Sequence, residues 1–114
     1  MKIGLLTTLA CLVLLSFSTA CFRKNVQTLE VQVPTMNTET CAALIKNAFF
    51  TPEGAVEGVV QVETDVASKM VYVTYDSRKI AIKNIEYTIT HLGFEANGQM
   101  PRPDEKDRLP EECR

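Results

Sequence analysis

Apolar and polar positions alternate or recur with clear periods from residue 28 onward. Leu29, Val31 and Val33 interleave with Thr28, Glu30 and Gln32, the pattern of a half-buried strand. A polar turn follows over Pro34 to Thr38. Cys41, Leu44, Ile45, Ala48 and Phe49 then recur at helical spacing, predicting a helix from about Glu39 to Phe50. Thr38 suits the N-cap and Glu39 the first turn, while Thr51-Pro52-Glu53-Gly54 ends the helix. Val59 to Thr64 and Met70 to Tyr75 read as two strands of a hairpin joined around Asp65 to Lys69. Ile82, Ile85, Ile89 and Leu92 predict a second amphipathic helix, stopped by Gly93, and Phe94 to Ala96 reads as a short last strand. This β-α-β-β-α-β order predicts an α+β, ferredoxin-like fold: a four-stranded antiparallel sheet with both helices on one face.

The N-terminal pattern is different. Lys2 precedes an almost unbroken apolar run from Ile3 to Phe17, followed by Ser18-Thr19-Ala20-Cys21. One positive charge, about fifteen apolar residues and small residues at the end describe a secretory signal peptide over residues 1–20. Arg23 and Lys24 close the run before the roughly twenty apolar residues that a membrane span needs. The segment resembles a bacterial lipoprotein signal, with Ala20 preceding a Cys21 that would be lipidated and become the first residue. Ser18 departs from that pattern, since a branched aliphatic residue usually stands three before the Cys. Cleavage after Ala20 at a small-x-small site is the alternative, and would leave Cys21 as a free thiol. Residues 21–27 would be a tether, and the expected location is the bacterial envelope, anchored to the membrane or soluble in the periplasm or outside.

Composition narrows the classes. At 114 residues the chain allows one domain, and a net charge of −2 with interspersed signs argues against nucleic-acid binding. One His, no Trp and no phosphate-cradling Gly-rich loop leave few catalytic constellations. Residues 98–114 hold five acids, four bases and three prolines, and read as an irregular tail. Of four cysteines, Cys11 lies in the export segment and Cys21 at its end, leaving Cys41 and Cys113. In an oxidising compartment these two could pair, and that alternative stays open at this level.

Met36-Asn37-Thr38-Glu39-Thr40-Cys41, with Ile45, Gly58-Val59, Val71 to Asp76, Ile85, Ile89 and Gly93-Phe94-Glu95-Ala96, resembles the heavy-metal-associated domain family over residues 28–97. The family includes copper chaperones, mercury-binding periplasmic proteins and modules of metal-pumping ATPases. It carries Met-x-Cys-x-x-Cys in its first loop. Here Thr38 stands at the first Cys position and only Cys41 remains, and about four extra residues precede Gly58. The resemblance implies a non-enzymatic module that binds a soft cation such as Cu(I) or Hg(II) through Cys41, with no ion needed for folding. A membrane metal transporter or a second copy of the chain would be its partner. Soft cations prefer thiolate sulfur, and a helix N-terminus stabilises a thiolate, so Cys41 suits the task. Cys113, a second Cys41, or His91 at the end of the second helix could complete the coordination. Met36 is expected beneath the loop and Phe94 beside the site or in the core. The alternative function is an interaction domain of the same fold with a degenerate site, Cys41 free or bonded to Cys113. An acylphosphatase-like enzyme is excluded because no Arg- and Asn-bearing anion loop follows the first strand.

Overall fold

The computed structural model describes residues 25–114. The export segment, Cys11, Cys21 and the beginning of the tether lie outside the described residues. The chain runs β1 (Val26–Gln32), α1 (Glu39–Phe49), β2 (Phe50–Thr51), β3 (Gly54–Ala55), β4 (Val59–Asp65), β5 (Met70–Asp76), α2 (Ile82–Leu92), α3 (Pro103–Asp107) and a 3₁₀ turn at Glu111–Cys113. Among the described residues no helix is long and apolar enough to cross a membrane.

The main sheet is antiparallel with strand order β1-β5-β4. Register places Val31 opposite Val71, and Leu29 and Val62 on either side of Val73, so apolar side chains of all three strands share one face. A bulge at Val60 re-aims the start of β4. Onto that face α1 brings Cys41, Ala42, Ile45 and Phe49, and α2 brings Ile85 and Ile89. Met36 and Phe94 are completely buried in the same core, as a structural role for both requires. Two helices over one antiparallel sheet make the α+β, ferredoxin-like architecture.

Three features differ from the periodicity. The extra residues after α1 form a small ribbon, β2 paired with β3 through the Pro52-Glu53 turn. The expected last strand at Phe94 to Ala96 forms no ladder, so the sheet has three strands where four were expected. The cause is a tight turn in which Ala96 bridges Gln99, with Asn97 (φ 49°) and Gly98 (φ 80°) in left-handed conformations. Asn97 takes the place of a strand against the edge of β1. Its N–H donates to the Gln32 carbonyl (3.0 Å), its Oδ1 accepts from the Gln32 N–H (2.8 Å), and its Nδ2 donates to the Glu30 carbonyl (3.2 Å). The same Nδ2 and Gln99 Nε2 hydrogen-bond the buried Glu86 carboxylate, leaving it partnered.

Third, residues 98–114, expected to be irregular, carry α3 and the 3₁₀ turn and fold back onto the domain. Leu109 and Cys113 are buried there, and Glu105 accepts from the Arg102 N–H at 3.1 Å, capping α3.

Candidate functional site

The site lies where β1 ends and α1 begins. Thr38 is the N-cap of α1 in extended conformation, and its Oγ1 accepts from the Cys41 N–H at 3.4 Å. Cys41 is therefore the third helical residue, with its sulfur 3.2 Å from Thr38 Oγ1. Free N–H groups and the positive end of the helix dipole favour negative charge on sulfur at this point. The loop before it is braced from three sides. The Lys69 ammonium donates to the Pro34 carbonyl (3.0 Å) and to Asn37 Oδ1, while Asn37 Nδ2 donates to the Glu112 carbonyl (2.9 Å). Met36 fills the space below with no exposure at all.

Cys41 forms a disulfide with Cys113, with the two Cα atoms 5.6 Å apart and the two residues 72 positions apart in sequence. That separation is well inside the usual range for bridged cysteines. Both residues are fully buried. The pairing that the sequence leaves open is made: the returning tail brings Cys113 to Cys41 and bonds to its sulfur. The tail can do this because Gly93, with φ of 114°, ends α2 and leaves no β-carbon between itself and Glu105 and Leu109.

His91 is placed differently. Its Nδ1 meets Glu105 Oε2 at 2.5 Å, and its ring stacks on Tyr87 with centroids 5.4 Å apart. It ties α2 to α3. Among the described residues no group of three or more His, Cys, Asp or Glu side chains is arranged to hold a metal ion. The structure thus joins Cys41 to Cys113 and sets His91 in a separate contact with Glu105. Sequence reasoning placed Thr38 as the N-cap before Cys41, but missed the tie of Asn37 to the tail and the part of Gly93 in seating it. Gly93 carried a readable signal as a helix stop, but its closeness to the tail left no local trace.

A small α+β domain with a helix-N-terminal cysteine beneath a returning tail is the class that fold and site define. No family model matches the chain. The mercuric transport protein periplasmic component of Shewanella putrefaciens is 31% identical over 68 residues, covering 60% of this chain and 70% of that protein. Oxidized MerP from Ralstonia metallidurans CH34 superposes with a TM-score of 0.55 at 25% identity, over 62% of this chain and 93% of MerP. The CopZ metallochaperone reaches the same TM-score of 0.55 over 61% of this chain and 98% of its own, and at 20% identity that is a likeness of fold alone. The chain belongs to the heavy-metal-associated domain family.

Proposed function

We propose that this protein is a heavy-metal-binding, carrier-like module of the bacterial envelope that holds a soft cation, Cu(I) or Hg(II), on the sulfur of Cys41. The observation that carries this reading is the convergence of two sulfurs, Cys41 and Cys113, at the N-terminus of α1. After reduction that pair offers the two thiolates that linear coordination of a soft ion calls for. A Cys-x-x-Cys loop draws both from one turn; this chain draws the second from its tail. The names of the relatives, a periplasmic mercuric transport component and MerP, support the cargo class and an exported location. Export through residues 1–20, a lipid anchor on Cys21 and delivery to a membrane metal transporter complete the proposal.

The test is titration of the reduced protein with Cu(I) or Hg(II). The expected stoichiometry is about one ion per one or two chains, as two-sulfur coordination within or between copies requires. Cys41→Ser is expected to abolish it, and equal binding by that variant would reject the reading. A second reading, an interaction domain whose metal site is degenerate, is favoured by Thr38 at the first Cys position and by the bonded, buried Cys41. It predicts that the reduced chain takes up no stoichiometric ion.

A further inference from the structure

We propose that residues 98–114 act as a strap clasped by the Cys41–Cys113 pair, so that thiol–disulfide exchange controls access of the cation to Cys41. The inference rests on the metal-binding reading above. Oxidised, neither sulfur touches solvent, and the strap lies over both. The rest of its attachment is slight for its length. Leu109 and Cys113 are its only core residues; its other ties include the Gln99 hydrogen bonds to Ala96 and Glu86 at its start, the Asn37–Glu112 hydrogen bond, the His91–Glu105 contact and the close seat on Gly93. Much of its remaining surface is polar and exposed, including Asp104, Asp107, Glu111 and Glu112. A segment with so few buried contacts belongs to the part of a domain that opens locally once a covalent tie is cut.

The exchange balances with a dithiol as reductant. Its thiolate attacks one protein sulfur, the Cys41–Cys113 bond breaks, and a mixed disulfide forms. Its second thiol then displaces the protein sulfur. The reductant leaves as a disulfide, and its two electrons and two protons end on Cys41 and Cys113. A soft cation displaces those two protons and bridges the sulfurs, so it closes the strap again. One strap therefore has two clasps, a disulfide bond or a cation, and each excludes the other.

Hydrogen exchange of the segment 98–114 in the full chain tests this, in the oxidised protein, after reduction by a non-thiol phosphine, and after one equivalent of Hg(II). Reduction is expected to speed exchange there by about tenfold or more, while the α1 and β5 amides stay protected. Hg(II) is expected to restore the protection, and Cys113→Ser to exchange rapidly in every state without responding to Hg(II). A reduced strap as protected as the oxidised one would overturn the proposal. So would Hg(II) bound through Cys41 with the strap still open, an outcome that leaves the metal-binding reading standing. A strap released by reduction with no Hg(II) bound overturns the metal-binding reading and the cation clasp with it.

Discussion

Gly93 sits directly beneath Glu105: a β-carbon at position 93 would come within 2.9 Å of the Glu105 carbonyl carbon and 3.0 Å of Leu109 Cγ. A helix-ending glycine is thereby also the seat of the tail. Gly93→Ala is expected to destabilise the domain by about 2 kcal/mol or more, from left-handed strain plus displacement of α3. Gly98→Ala, where nothing lies within 4 Å but φ is also positive, supplies the strain alone. Urea midpoints of the two variants should differ in that order. Equal losses would show that the seat contributes nothing.

Cutting the disulfide should lower stability substantially. A tie between residues 72 apart in sequence removes about 4 kcal/mol of loop-closure entropy from the unfolded chain. Cys113→Ser and phosphine reduction are expected to lower the urea midpoint by similar amounts, and an unchanged midpoint would contradict the calculation.

Thr38 marks where the first thiol of a Cys-x-x-Cys loop would stand, and its Oγ1 already lies 3.2 Å from the Cys41 sulfur. The double variant Thr38→Cys/Cys113→Ser is therefore expected to bind one soft cation without help from the tail. Loss of the threonine cap should cost about 1 kcal/mol of stability. Metal titration against Cys113→Ser alone reads the gain directly; no gain would mean that the loop cannot present two sulfurs.

Asn97 stands in for a missing strand through side-chain hydrogen bonds to Gln32, Glu30 and Glu86. Asn97→Ala is expected to cost about 2–3 kcal/mol, since several partners lose a bond together and alanine holds the left-handed conformation less readily than asparagine. Faster exchange of the Gln32 amide would locate the effect at the edge of β1.

Asp76 gives the acid limb of the stability curve. The Arg78 side chain hydrogen-bonds its carboxylate, the Arg78 backbone N–H adds a second bond, and together they hold the carboxyl below its ordinary value of 3.8. With the folded value lowered, ionised Asp76 stabilises the fold above the unfolded value, and that contribution disappears as pH falls through the folded one. Asp76→Asn should therefore trail the parent at neutral pH and converge on it as pH falls below 3.8 and through the lowered folded value. Parallel urea midpoints across that range would refute the assignment.

The parts legible in the sequence are those that local periodicity governs. Ile82, Ile85 and Ile89 announce α2, Thr38 announces the start of α1, and alternating residues announce β1, β4 and β5. The rest depends on distant partners. Phe94 to Ala96 is apolar enough for a strand, yet the left-handed pair Asn97-Gly98 turns the chain before a ladder forms. Leu109 and Cys113 are separated by a proline in a charged segment, so no period reveals that both are buried. The partner of Cys41 was open for the same reason: compartment chemistry permits the bond, but only the path of the tail over Gly93 brings the sulfurs together.

Because the linked cysteines lie in the first turn of α1 and at the end of the tail, the bond encloses the rest of α1, the β2–β3 ribbon, the main hairpin and α2 in a covalent ring. Cleavage of any peptide bond inside that ring, for instance at the exposed Pro52-Glu53 turn, leaves two fragments still joined through sulfur. A nicked oxidised molecule would keep its mass apart from one added water, and would come apart only where reductant meets it.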